Sequence, residues 1–263
     1  MKHKLSLRPK VIDLKKIKIG AVNYLNTKPL LYGIQNHEVI DHIELIEDYP
    51  SRIADMVLKG ETDIGLIPVA TLPELNNWKI IGNYGIACDG PVASVCLFSD
   101  VPINEITEVY LDYQSRTSVI LLKILLKEYW NHEVEFINAK NEDFINEIKG
   151  TTAGLVIGDR ALEQRKKSKC IYDLGDAWKK HTGLPFVFAA WISNKEINHE
   201  FVKMFDDANR LGVDNKKYVY RYIEYQHYDL RYYYEKNINY FLDEQKMEGL
   251  KLFLEKLSNM QSI

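Results

Sequence analysis

The chain has 263 residues, 46% hydrophobic and 27% charged, with 34 Lys and Arg against 37 Asp and Glu for a net charge of -3. That composition supports a buried core and excludes a disordered chain, and its charge balance supplies no basic field for nucleic acid. No apolar run reaches the roughly 20 residues that a membrane-spanning helix needs.

The opening residues are positively charged but hold no continuous apolar stretch of signal-peptide length, which predicts a cytoplasmic protein. IKIGAVNYL (17–25) reads as a strand and residues 27–35 as a short helix. IELIEDY (43–49) is the next strand, and Pro50 opens a helix that Gly60 stops. DIGLIPV (63–69) is a largely apolar strand. A second series follows VASVCLFS (92–99): a strand over 109–112, an apolar helix within 115–129, strands over 134–137 and 154–157, and a helix near 141–148. FVFAAWI (186–192) is a further long strand, and the chain beyond residue 198 reads as helical.

Alternating strands and helices of this kind build βαβ units with a mostly parallel sheet. Two such series without a flexible linker predict an α/β protein of two lobes with mixed, mostly parallel sheets flanked by helices and a cleft between them. VASVCLFS and FVFAAWI are the expected crossing strands. The expected organisation is residues 1–96 for the first part of lobe one, 97–188 for lobe two, and 189–263 for the return to lobe one. Ligands sit in such clefts.

Four segments carry the polar residues that such a cleft would use. NYLNTKP (23–29) places Asn26 and Thr27 where a helix cap belongs; they could simply cap, or present N–H groups and the Asn26 amide to an anion. DYQSRTS (112–118) clusters Ser115, Thr117 and Ser118 at a helix start, again either as caps or as a carboxylate cradle, with Arg116 as a possible cation. DGPVASV (89–95) places Ser94 after a Gly-Pro turn with no nucleophile elbow around it. VIGDRAL (156–162) ends a strand at Gly158-Asp159, where the Asp could cap, hold a lobe contact or touch ligand.

No dinucleotide fingerprint, P-loop or zinc motif is present. The seven histidines are scattered, and the three cysteines (Cys88, Cys96, Cys170) read as buried reduced thiols. This pattern favours a reaction without metal or cofactor, or plain binding. Nine of the seventeen tyrosines fall between residues 218 and 240 among nearly balanced charges. Tyr218, Tyr222, Tyr225 and Tyr232 fit one helical face, which predicts packing of a C-terminal helix against the lobes rather than a base-stacking platform.

NYLNTKPL, DGPVASVCLFS, SRTSVILLKILL, VIGDRAL and DLGDAWKKHTGLPFVFAAW, in that order, together resemble the chorismate dehydratases of the futalosine route to menaquinone. The resemblance runs from about Lys18 to Ser193 and continues weakly through NINYFLDEQKMEGLKLFL. It implies a type II periplasmic-binding-protein-like fold and removal of water from chorismate to give 3-[(1-carboxyvinyl)oxy]benzoate. By position it implies catalytic roles for Asn26 and Ser94, and substrate binding by Tyr24, Thr27, Ser115, Arg116, Thr117, Ser118, Gly158 and Asp159. It implies no cofactor, no metal, no nucleic-acid or membrane partner, and a monomer or homodimer. A non-catalytic binding protein for a small carboxylate, and the related naphthoate-forming enzyme of the same route, share this fold and are the alternatives.

Overall fold

The computed structural model describes residues 16–261; the expectation drawn from the opening residues lies outside them. The chain begins β1 (Ile17–Val22), α1 (Lys28–Gln35), β2 (Ile43–Asp48), α2 (Pro50–Leu58), β3 (Ile64–Pro68) and β4 (Lys79–Cys88). It continues β5 (Val95–Ser99), β6 (Glu108–Leu111), α3 (Thr117–Glu128), β7 (Glu135–Asn138), β8 (Thr152–Ile157), α4 (Gly158–Gln164) and β9 (Cys170–Asp173). Then come α5 (Leu174–Thr182), β10 (Phe186–Ser193), α6 (His199–Asp214), α7 (Lys216–Tyr222), the short α8 (Leu230–Tyr232), β11 (Asn239–Phe241) and α9 (Glu244–Gln261).

The strands form two sheets, one of six in the order β11-β4-β10-β3-β1-β2 and one of five in the order β7-β6-β8-β5-β9. Both are mixed. In the larger, β1 pairs in parallel with β2 and β3, while β10 runs antiparallel to β3 and β4. In the smaller, β6 pairs in parallel with β7 and β8, while β5 runs antiparallel to β8 and β9. β3 is buried along its whole length, which is why it reads as an unbroken apolar run rather than an alternating one.

The two strands expected to cross between lobes each stay within one sheet. The crossing is made by residues 89–94, and the return by α5 and the turn after it. Asp173 caps α5, accepting from the Gly175 and Asp176 N–H groups at 3.0 and 3.2 Å. The same carboxylate accepts from Val92 and Ala93 N–H at 3.0 and 2.7 Å, so one half-buried residue ties the outgoing segment to the return. β4 is a strand that hydrophobic pattern does not reveal, because Gly82, Asn83 and Gly85 interrupt its apolar run; pairing with β10 and β11 supplies what the pattern lacks. The helix expected near 141–148 is a 3-10 turn over Glu142–Glu147.

On the outer face α1 packs on α6 at backbone contact. A Cβ on Gly33 would lie 2.0 Å from the Ala208 carbonyl oxygen, and one on Gly212 1.9 Å from that of Pro29, so only glycine fits either position. The expectation for the tyrosine-rich segment is corrected. The helix stops at Tyr222, and Tyr222 and Tyr232 are 84% and 53% exposed. Because residues 223–229 leave the helix, the face that joined those tyrosines does not exist. Tyr233, Tyr234 and Tyr240, from the turn after α8 and from β11, are the buried ones.

Candidate active site

The carboxyl ends of β1, β3, β6 and β8 converge on one partly open cavity between the two sheets, a position where small-molecule sites form in α/β proteins. Val22, Leu66, Ile86, Val95 and Phe188 supply apolar walls, and Tyr24, Asn26, Thr27, Ser94, Gln114, Ser115, Thr117 and Ser118 supply polar ones. No lining residue carries a charged side chain. An anion here must be held by hydroxyls, amides and backbone dipoles.

The turn after β1 is held almost wholly through its backbone. Leu25 N–H donates to the Asp159 carboxylate at 3.1 Å, Thr27 N–H to the Tyr24 carbonyl at 3.0 Å, and Lys28 N–H to the Leu25 carbonyl. Pro29 has no N–H to give. Of the N–H groups expected to bind an anion here, those of Leu25, Thr27 and Lys28 are therefore already engaged. From the other side the buried Tyr234 and Tyr240 hydroxyls donate to the Leu25 and Asn26 carbonyls at 2.8 and 2.9 Å. Thus braced, the Asn26 side chain is free: its Oδ1 accepts from Thr27 Oγ1 at 3.1 Å, and its Nδ2 has no partner among the described residues.

Ser94, 1% exposed, lies on the crossing segment. Ala93 before it is in the left-handed region at φ 63°, held by its N–H bond to Asp173. Ser94 Oγ accepts from the Tyr233 hydroxyl at 2.8 Å, and no acceptor among the described residues takes its own proton. Its carbonyl accepts from Gly158 N–H at 2.8 Å. Gly158 has φ +66°, and a Cβ there would stand 3.3 Å from the Tyr24 ring, so glycine lets the phenol lie against the start of α4.

The start of α3 is built differently. Ser115 Oγ accepts from Ser118 N–H at 3.1 Å, an ordinary cap. Thr117 Oγ1 donates to the Phe188 carbonyl at 3.1 Å and accepts from Ala70 N–H at 3.2 Å. Both hydroxyls line the cavity, but only that of Thr117 is engaged as donor and acceptor; the Ser115 proton, the Ser118 hydroxyl and the remaining first-turn N–H groups are what the helix start can offer. Arg116 does not line the cavity; its guanidinium pairs with Asp55 at 2.9 Å and Glu74 at 3.2 Å. Asp159 is likewise absent from the lining, its carboxylate being turned to Leu25. Burial raises the Asp159 carboxyl to about 6, against the lowering effect of the Leu25 N–H bond.

The menaquinone-biosynthesis family matches residues 17–259. The chain belongs to that family. The chorismate dehydratase of Thermus thermophilus is 26% identical over 265 residues, covering 91% of this chain and 94% of that one. Protein AF1704 from Archaeoglobus fulgidus superposes with TM-score 0.71 at 15% identity, over 94% of this chain and 98% of the other. The periplasmic aliphatic sulphonate binding protein SsuA from Escherichia coli gives 0.59 at 12% identity, over 91% and 92%. This menaquinone-biosynthesis protein therefore has the two-lobed periplasmic-binding-protein fold with its cleft between the lobes. Among the described residues no helix is long and apolar enough to cross a membrane, and no group of three or more His, Cys, Asp or Glu stands together to hold a metal.

Several residues that build this family member's site escape the motif reading. Asp112, 2% exposed, accepts from Gln114 N–H at 3.0 Å, from Ile157 N–H at 3.2 Å, and from Arg160. Burial pushes its carboxyl up while the Arg160 guanidinium pulls it down. Asp173, Tyr233, Tyr234 and Tyr240 act as described above. The available signal was the aspartate ending each of two strands, Asp112 and Asp173; the tyrosines carry no local signal, since each acts on a residue more than 130 positions away.

Proposed function

We propose that this protein is a chorismate dehydratase, a carbon-oxygen lyase that converts chorismate to 3-[(1-carboxyvinyl)oxy]benzoate and water in the cytoplasm, as a step of the futalosine route to menaquinone. The observation that carries this reading is the pairing of free donors in one uncharged cavity: Asn26 Nδ2 from one lobe, and Ser94 Oγ from the crossing segment. Family membership and the Thermus thermophilus relative support it.

The chemistry asks little more than such a cavity offers. The C3 proton of chorismate is conjugated through C2=C1 to the ring carboxylate, so its removal gives a delocalised anion. Loss of the C4 hydroxyl as water then completes an aromatic ring, and that aromatisation drives the elimination. Placement and charge stabilisation are the protein's contribution. Asn26 and Ser94 orient the leaving hydroxyl and stabilise charge developing on it. The α3 start, with Ser118, receives a substrate carboxylate. The proton goes to the substrate's own enolpyruvyl carboxylate and from there to the departing C4 oxygen, so that water leaves and the carboxylate is restored, a route that needs no side-chain base in the cavity lining.

Incubation of the purified protein with chorismate should yield an aromatic product one water lighter, seen by absorbance and mass spectrometry. Asn26→Ala and Ser94→Ala should each lower kcat by about 10²-fold or more, the usual loss when one preorganised donor is removed. Near-normal turnover in both variants would remove the site assignment. Chorismate binding without product would identify a receptor instead, the activity that the fold serves in the sulphonate-binding protein.

A further inference from the structure

We infer that Gln114 is a positioning residue of this reaction: it holds Tyr24 across the cleft as the wall that closes over the substrate. The inference rests on the dehydratase reading above. Tyr24 follows β1 of the larger sheet and Gln114 follows β6 of the smaller, and both line the cavity. The Tyr24 hydroxyl donates to Gln114 Oε1, so a bond between two cavity-lining side chains joins the lobes. Gly158 takes the face of the phenol ring, and Gln114 takes its tip. The ring is confined at both.

The orientation of the Gln114 carboxamide is fixed by its neighbours. Its Oε1 accepts a second bond, from Arg160 Nη2 at 3.0 Å, and its Nε2 donates to the Tyr113 hydroxyl at 2.8 Å. Two donors at the oxygen and an acceptor at the nitrogen leave the amide one way round. Arg160 is anchored in turn: the same Nη2 reaches the buried Asp112 carboxylate at 3.0 and 2.9 Å, and the guanidinium lies 5.4 Å from the Tyr113 ring centre. Nη2 has two protons, one for the Asp112 carboxylate and one for Gln114, while the buried Nη1 has no partner. The guanidinium therefore faces Gln114 through Nη2, and the chain Asp112, Arg160, Gln114, Tyr24 runs from the core of the smaller lobe to the side chain that crosses the cleft.

When the lobes part to admit substrate, the Tyr24–Gln114 bond breaks; when they close, it re-forms and sets the phenol against the ligand. Loss of the bond should weaken retention of substrate rather than the elimination itself. Gln114→Met, similar in length and without an acceptor, should raise KM for chorismate about tenfold while kcat changes by roughly threefold or less. Tyr24→Phe, which keeps the ring and its packing on Gly158, should do the same, and it carries the test if Gln114→Met does not fold. Because Gln114 acts through Tyr24, the double variant should match the single ones; a KM rise of about a hundredfold, the product of the two, would overturn the proposal.

A second readout needs no substrate. Leu25 N–H also crosses the cleft, to Asp159, so amide exchange of a peptide containing Leu25 reports opening in the ligand-free protein. Exchange should quicken about tenfold in Gln114→Met and Tyr24→Phe, and stay at the wild-type rate in Gln114→Glu, which keeps an acceptor for Tyr24 and Arg160. Exchange and KM both unchanged in Gln114→Met would overturn the proposal. So would faster exchange with unchanged KM, since the link would then not position substrate, and so would raised KM with unchanged exchange, since Gln114 would then act on the substrate directly. If wild-type protein makes no aromatic product, the dehydratase reading fails, and the exchange measurement alone decides whether Gln114 holds the lobes.

Discussion

Two stretches face each other across the cleft, residues 23–29 after β1 and residues 112–118 after β6. Each is a polar run that ends a parallel strand and opens a helix, and in sequence the second is richer in hydroxyls. Their supports are opposite. The first is held by its backbone, with Asp159, Tyr234 and Tyr240 gripping the N–H and carbonyl groups of Leu25 and Asn26, and its Asn26 side chain stays free. The second is held by its own side chains: Ser115 caps the helix, Thr117 bridges to β10 and the turn after β3, and Arg116 joins α2. A polar side chain in a cleft is available for chemistry to the extent that something else supports the loop that bears it. Counting hydroxyls does not show which stretch keeps its side chains unengaged.

The largest effect expected from this contrast is on stability. Thr117→Val keeps the shape of a buried side chain but removes a donor and an acceptor, leaving Phe188 C=O and Ala70 N–H unpaired. The cost should be about 2–3 kcal/mol, read as a lower denaturant midpoint. KM of the folded variant should stay near wild type. A variant with normal stability and a strongly raised KM would place Thr117 on the substrate and dissolve the contrast.

The next effect is smaller and depends on pH. Asp159, which grips Leu25, has its carboxyl raised to about 6 by burial, with Lys28, Glu163 and Arg160 as the charged groups around it. In the unfolded chain an Asp titrates near 3.9. Between about pH 4 and 6 the native state therefore binds the proton more tightly, and this group's contribution makes stability fall as pH rises through that window. Asp159→Asn keeps an acceptor for Leu25 N–H and removes the titration. Denaturation curves across the window should show that the difference in stability between variant and wild type shifts in the variant's favour as pH rises. A difference that does not change with pH would mean that Asp159 is not the group titrating there.

Much of the architecture is legible in the sequence, because it rests on local signals. Pro50 starts α2, Gly60 ends it, and the apolar residues of 17–22, 43–48 and 64–68, the last an unbroken run, mark three strands. The segments that meet at the cavity are legible for the same reason, since strand ends and helix starts have polar signatures. The support of those segments is not. Tyr233 acts on Ser94 and Tyr240 on Asn26, across 139 and 214 positions. Helical periodicity selects Tyr218, Tyr222 and Tyr232, which are exposed, together with the half-buried Tyr225, because the helix that would align them breaks at residue 223. Gln114 was passed over for the opposite reason. It stands among hydroxyls that look better suited to an anion, and only the approach of Tyr24 and Arg160 shows what its amide is for.

Arg116 gives the smallest and sharpest test of the contrast. It is the one cation in the polar run at the α3 start, and from sequence alone it either adds a cation to the cradle or points to solvent. Its guanidinium instead joins Asp55 on α2 and Glu74 beyond β3, outside the cavity, and the three side chains are 33%, 39% and 52% exposed. Exposed pairs of this kind contribute about 1 kcal/mol or less and weaken with salt. Arg116→Met should therefore shift the denaturant midpoint only slightly, and raised ionic strength should shrink the difference further. Its KM for chorismate should remain within roughly twofold of wild type, because a residue that removes only a structural ion pair leaves uniform substrate binding intact. A tenfold rise in KM at unchanged stability would mean that the guanidinium leaves Asp55 and Glu74 for the substrate when the lobes close, and the start of α3 would then bind its anion through a side chain rather than through its backbone.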